Sequence, residues 1–193
     1  MAPRFRSGWG AYLGTVDQVL AWPQNKLTSF NRAGVLVRVY HDGAKDLLFT
    51  LQPRPYGVLI RDFGGHVDTA EHPIHAAVRE AKEESLSVLE PWLRMPRLGG
   101  AKVYGYMDNL YVLVDVRGVT PGLLRQRFLE AKRRLQGAAR PVPVELQETD
   151  DLFSVPLIDI EKQLHVERPH RFDDRIMSKN MWRVLQGLVP ILR

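Results

Sequence analysis

Gly64-Gly65-His66-Val67-Asp68-Thr69-Ala70-Glu71, carried on through Arg79-Glu80-Ala81-Lys82-Glu83-Glu84, is the stretch that decides the reading of this chain. The Gly pair follows an apolar run, Val58-Leu59-Ile60, and is expected to let the backbone turn tightly as a strand leaves a sheet. Neither Pro nor Gly interrupts Ile74 to Glu90, so a helix is predicted there, with Pro73 acceptable in its first turn. On a helix, Glu80, Glu83 and Glu84 stand at i, i+3 and i+4 and share one face. Like charges that close repel by roughly a few tenths of a kcal/mol per pair, and a cation offsets that cost. Hard oxygen ligands of this kind suit Mg²⁺ or Mn²⁺. An isolated Glu-Glu pair reads as a solvated helix surface. The fixed spacing from Gly65 through Glu71 to Glu84 argues against that bland reading.

These residues resemble the signature of the Nudix hydrolases, G-x5-E-x7-R-E-U-x-E-E-x-G-U, where U is a bulky apolar residue. Gly65, Glu71, Arg79, Glu80, Glu83 and Glu84 fall on its positions with the correct spacing. Three positions depart from it. Ala81 is a small occupant of the first U, Leu86 replaces the Gly, and Ser87 replaces the last apolar residue. A Gly there commonly ends a helix in a left-handed conformation that Leu adopts poorly. The helix is therefore expected to run on and stop before Pro91.

Composition sets wide limits. The chain has 193 residues, 45% of them apolar and 25% charged, which suits one globular domain with a real core. It contains no Cys, so disulfides and Cys-based zinc sites are excluded. No apolar run approaches the roughly 18 residues needed to span a bilayer. The basic N-terminus, Met1 to Arg6, has no apolar signal core behind it, so an intracellular, cytoplasmic protein is expected. The net charge of +5 fits a polyanionic substrate or nucleic acid.

Outward from the box, residues 9 to 22 read as loosely helical, weakened by Gly10 and Gly14. Ala33 to Tyr40 alternates as a strand, His41-Asp42-Gly43 marks a turn, and Asp46 to Leu51 pairs back. Beyond the box, Arg97 to Tyr106 and Leu110 to Arg117 read as two antiparallel strands across a tight connection. Pro121 to Gly137 is predicted as a helix with Leu124, Phe128, Ala131 and Leu135 as its apolar stripe. Arg125, Arg127, Lys132, Arg133 and Arg134 surround that stripe, either as a solvated face or as an electrostatic guide for phosphates or RNA. Glu145 to Asp151 is an acidic loop, and Leu152 to Ile158 reads as a strand. Asp173 is expected to cap a last helix running toward Leu188. His165, Arg168, His170 and Arg171 read as surface residues first and substrate contacts second.

The resemblance implies an α/β/α sandwich, a mixed β-sheet between helices, with its core at about residues 33–160. Residues 1–32 and 161–193 are expected to be helical additions to this single domain. It also implies hydrolysis of a diphosphate bond by water, with metal ions clamping the phosphate oxygens. Glu80 and Glu84 are the implied principal metal ligands, Glu83 completes the shell, and a carbonyl of the Gly64-Gly65 segment adds another. Glu80, Glu83 or Glu148 is the implied general base. Glu148 is also the first choice for a further carboxylate outside the box, ahead of Glu145 and Asp150. Arg79 cannot easily lose its proton, so it is expected to pair with Glu71 as a structural brace. The expected substrate is a nucleoside diphosphate linked to another group. Capped mRNA is one candidate, with Arg133 and Arg134 as contacts, and small nucleotides or inositol pyrophosphates are others. The alternative class is a non-catalytic RNA- or protein-binding module on the same scaffold.

Overall fold

Val35, Val37 and Val39 alternate with Leu36 and Arg38, and the strand that carries them is the spine of the fold. The structure is a computed structural model that describes residues 10–55, 57–138, 141–164, 171–172 and 174–192. The first elements are β1 (Ala11–Thr15), α1 (Val16–Leu20), a 3-10 turn (Gln24–Lys26), β2 (Arg32–His41), β3 (Ala44–Arg54), β4 (Gly57–Arg61) and β5 (Phe63–His66). Then come α2 (Pro73–Glu84), the short helices α3 (Glu90–Leu93) and α4 (Met95–Leu98), β6 (Lys102–Tyr106), β7 (Asn109–Arg117) and α5 (Pro121–Gln136). A second 3-10 turn (Val144–Gln147) leads to β8 (Asp151–Pro156), α6 (Leu157–Gln163), β9 (Arg171–Phe172), β10 (Arg175–Met177) and α7 (Lys179–Leu192).

Strand β2 runs parallel to β7 from Arg32 opposite Asn109 to Tyr40 opposite Arg117. It also pairs antiparallel with two other strands, with β5 over Arg32–Val35 and with β3 over Val37–His41. Strand β3 takes β4 over Thr50–Arg54 and β8 over Asp46–Leu51. The chain therefore changes neighbours at Asp62, lying against β3 before it and against β2 after it. Strands β6 and β1 extend the sheet beyond β7, and β10 and β9 extend it beyond β4. The sheet is mixed, as expected.

Alternation then builds two cores. One face carries Val35, Val37 and Val39 against Ile74, Ala77 and Ala81 of α2 and Leu124 and Phe128 of α5. The other carries Leu36, Phe49 and Leu51 against Ile160 of α6 and Trp182, Leu185 and Leu188 of α7. Helices thus cover both faces. Both segments beyond 33–160 join this assembly, β1 by pairing with β6 and β10 by pairing with β4.

Several local expectations are corrected. Residues 11–20 form a strand followed by a helix, because Thr15 and Gln18 make a reciprocal capping box that starts the helix at Val16. Gly64 and Gly65 are not a turn; they lie inside β5, paired with Gly34 and Ala33. A Cβ on Gly64 would stand 2.6 Å from the Gly34 Cα, so the glycine answers to close approach of two strands. Helix α2 stops at Glu84, not before Pro91. Leu86 and Ser87 take left-handed φ values of 50° and 62°. Ser87 N donates to Lys82 O at 2.7 Å and Leu86 N to Glu83 O at 3.1 Å, closing the helix end without a glycine.

Residues 95–98 are helical, with Pro96 in the first turn, so the following strand begins only at Lys102. Pro156 ends β8, and α6 begins at Leu157. The acidic loop opens with the second 3-10 turn. Asp173 lies outside the described residues, as do His165, Arg168 and His170. Helix α7 starts at Lys179, where the Ser178 hydroxyl accepts from Met181 N at 3.2 Å. Arg171 is exposed in β9.

Candidate active site

His72 caps α2 by accepting from Ile74 N at 3.1 Å through Nδ1, and Pro73 sits in the first turn. The helix buries Ile74, Ala76, Ala77 and Ala81, which turns Glu80, Glu83 and Glu84 toward β5 and its edge. Ala81 is fully buried, so its small side chain lets the helix lie close to the sheet. Gly65 completes that closeness. A Cβ at this position would collide with the Glu80 carboxyl, so only glycine leaves the carboxylate room beside β5.

The Glu84 carboxyl is 5% exposed. It accepts from Gly64 N at 2.7 Å and from Gln52 Nε2 at 3.1 Å. Burial, with the nearby Asp62 charge, pushes its pKa up to about 8, against the opposing pull of Gly64 N–H and Arg61. Burial also raises Glu80, and Arg79 opposes the rise. Glu83 is more open, with its side chain 32% exposed.

Arg79 binds these groups together. Its Nε and Nη2 meet both Glu71 oxygens at 3.1 and 3.0 Å, and Nη1 reaches Glu80 at 2.7 Å and Glu83 at 3.4 Å. Nη2 also donates to His66 O at 3.1 Å, which ties the loop after β5 to the helix. The hydrogen bond from Arg79 holds Glu71 below the usual carboxylate range, and Glu71 in turn raises the Arg79 pKa. The pairing expected of Glu71 and Arg79 is present, and the same guanidinium gathers two of the box carboxylates.

Behind β5 lies a set of groups that the sequence did not announce. Asp62, 4% exposed, accepts from Arg32 at 2.5 and 3.0 Å. Arg32 also donates to Gly64 O at 2.6 Å and to the Tyr111 hydroxyl at 3.2 Å. Burial disfavours the Arg32 charge, yet Asp62 more than offsets it and the pKa is raised. Gln52, 2% exposed, links Glu84 to Arg61 at 2.7 Å and Arg54 at 3.1 Å. The available signal was an acid next to an apolar strand run, Asp62 separated by one residue from the Gly64-Gly65 pair, with Arg54 and Arg61 flanking that run.

Glu148 is exposed at the end of the second 3-10 turn, and that turn lies against α2. Asp150 N donates to Leu51 O at 2.7 Å, so the acidic loop closes onto β3 beside Gln52. Asp150 and Asp151 are paired with Lys132 and Arg125 of α5, at 2.6 and 2.5 Å. Arg133 and Arg134 are exposed on α5, apart from these pairs. Among the described residues no three His, Asp or Glu side chains stand ready-grouped as metal ligands. The donor chemistry nonetheless fits a hard dication. Two desolvated carboxyls with raised pKa values lie along the Gly64-Gly65 pair, Glu84 on Gly64 N and Glu80 in the space that Gly65 leaves, and a cation would favour both in ionised form.

No family model and no curated protein matches this chain. Among solved structures it is similar to a binary complex of the Caenorhabditis elegans Ap4A hydrolase, at 16% identity and a TM-score of 0.42 over 83% of this chain and 96% of that one. It is also similar to RenU, a Nudix hydrolase from Mycobacterium smegmatis, at 16% identity and 0.46 over 85% and 86%. A third is the NUDIX domain of Shewanella oneidensis NrtR complexed with ADP ribose, at 12% and 0.44 over 93% and 99%. The resemblance to the Nudix signature rests on the spacing of Gly65, Glu71, Arg79, Glu80, Glu83 and Glu84 in this chain's own sequence. Among the described residues no helix is long and apolar enough to cross a membrane.

Proposed function

We propose that this chain is a Nudix pyrophosphohydrolase that uses Mg²⁺ or Mn²⁺ to cleave the diphosphate of a nucleoside diphosphate linked to another group. The observation that carries this reading is the pair of Glu80 and Glu84 on the α2 face toward β5, Glu80 against Gly65 and Glu84 bonded to Gly64 N, both desolvated and both raised in pKa. Glu80, Glu83 and Glu84, with a Gly65 carbonyl, would hold the metal. When bound, it neutralises phosphate charge and makes water a better nucleophile.

The chain's own residues divide the remaining work. Glu71 and Arg79 hold the loop after β5 against α2, so the carboxylates keep their spacing. Arg79 holds Glu80 closely at 2.7 Å and Glu83 only at 3.4 Å, which favours the more open Glu83 and the exposed Glu148 over Glu80 to take the proton from water. The cationic face of α5 lends limited support to capped RNA as the substrate. Arg125 and Lys132 are already neutralised by Asp151 and Asp150, so among the described residues α5 keeps only Arg127, Arg133 and Arg134 for a long anion. A small nucleotide substrate fits better, with the diphosphate at α2.

The test is hydrolysis of a panel of dinucleoside polyphosphates, ADP-ribose, nucleotide sugars and capped RNA with Mg²⁺ or Mn²⁺. The expected result is metal-dependent cleavage by the wild type, lost in Glu80→Gln. Turnover that survives this substitution, or that proceeds undiminished in EDTA, would sink the assignment.

A further inference from the structure

Arg54 and Arg61 converge on a single neutral atom. Arg61 Nη1 lies 2.7 Å and Arg54 Nη2 3.1 Å from Gln52 Oε1. Among the described residues neither guanidinium is ion-paired with a carboxylate, although Arg61 lies close enough for its charge to act on Glu84. Two like charges sharing one amide oxygen repel each other, and the amide brings no negative charge to offset them. Each guanidinium carries five N–H donors and spends few of them here.

The strand register places the pair on the side that matters. Arg61 stands opposite Thr50, and Gln52 opposite Leu59. Thr50, Gln52, Arg54 and Arg61 therefore point to one face of the sheet. That face is the one bearing α2, because Gln52 Nε2 donates to Glu84. The Gln52 amide thus has a carboxylate at its nitrogen end and two cations at its oxygen end. Arg54 is exposed and Arg61 half-buried, so the cations open to solvent while the amide between them is closed off.

We infer that Arg54 and Arg61 form an anion clamp for the diphosphate of the substrate, held in register with the α2 carboxylates by Gln52. The ligand class is a diphosphate monoester or diester. Its non-bridging oxygens accept from both guanidiniums on the side away from Glu80 and Glu84. Gln52 is a positioning residue, since its buried amide touches the two arginines and Glu84. This inference rests on reading the α2 face as the active site.

The experiment measures ADP binding by titration calorimetry with Mg²⁺ present, and Mn²⁺ binding by paramagnetic resonance without nucleotide. Wild type, Arg54→Gln, Arg61→Gln and the double variant are compared, with thermal unfolding as a check on the fold. Loss of charge-assisted hydrogen bonds is expected to weaken ADP about tenfold for each arginine and about a hundredfold together. Mn²⁺ affinity should stay within about threefold, because the carboxylates remain. Unchanged ADP affinity in the double variant overturns the clamp, as does a wild type that fails to bind millimolar ADP. Parallel loss of Mn²⁺ binding and folding stability overturns it too, by showing a purely structural role. ADP binding that depends on both arginines, in a protein that cleaves nothing on the panel, supports the clamp and rejects the hydrolase reading. The two ideas therefore fail separately.

Discussion

Glu84 gives the sharpest test of the site as a charged device. Its pKa stands at about 8 in the folded protein against an ordinary 4.5. A raised carboxyl contributes stability that is fully present below the unfolded value and is lost as pH climbs through the folded one. In EDTA, stability should therefore fall between about pH 4.5 and 8, at up to 1.36 kcal/mol per pH unit. Over that span of about 3.5 pH units the loss has a ceiling of about 5 kcal/mol. His72 works the other way. Burial lowers its pKa, so it costs stability as pH falls through the ordinary histidine range, and the clean window lies above about pH 7. The assay is urea unfolding followed by tryptophan fluorescence, for wild type and Glu84→Gln, with and without Mg²⁺. The wild type should lose about 1 kcal/mol between about pH 7 and 8 in EDTA, and the variant should show a much shallower slope, left to Glu80, whose pKa is also raised. Mg²⁺ should stabilise the wild type far more at about pH 8.5 than at about pH 5.5, since at low pH it must displace the Glu84 proton. Equal slopes in the two proteins, or a Mg²⁺ gain that ignores pH, would refute the reasoning.

Two further outcomes follow from the geometry. Gly65→Ala places a Cβ against the flexible end of Glu80, so the protein should fold while its Mn²⁺ affinity drops by about tenfold or more. Unaltered Mn²⁺ binding, read by paramagnetic resonance, would show that Glu80 is not a ligand. Arg32→Gln strands Asp62 in the sheet without its ion partner and should cost about 3–5 kcal/mol in chemical denaturation. A loss below about 1 kcal/mol would mean that water reaches Asp62 and that the pair is not a buried one.

Much of this site could be read from the sequence because it is local. Gly65, Glu71, Arg79, Glu80, Glu83 and Glu84 lie on one loop and one helix, where spacing translates directly into direction. The β2–β3 hairpin and the α5 stripe were legible for the same reason. Arg32–Asp62 and Gln52–Glu84 were not, since each spans about thirty residues and depends on strand register. The end of α2 was misread on sound local grounds. A left-handed Leu costs roughly 1–2 kcal/mol, yet two terminal hydrogen bonds and the packing of Leu86 on the core prevail over it. The role of Gly64 was likewise hidden, because its reason sits across the sheet at Gly34 and not in its own dihedral angles.

The change of neighbours at Asp62 has a mechanical meaning. One continuous run of chain is bonded to β3 up to Arg61 and to β2 from Phe63, so the two pairings must agree on a common origin. Arg32 sits on β2 and grips both Asp62 and the Gly64 carbonyl, much as a locating pin indexes two machined plates. Guanidiniums ride on one plate through Gln52, Arg54 and Arg61, and carboxylates lean on the other through Gly64 and Gly65. A slip of one residue in either plate would reverse which way its side chains point and carry its half of the site out of alignment. The tolerance of the whole centre is thus set at a pin that touches no metal ligand by itself, one strand behind the chemistry it aligns.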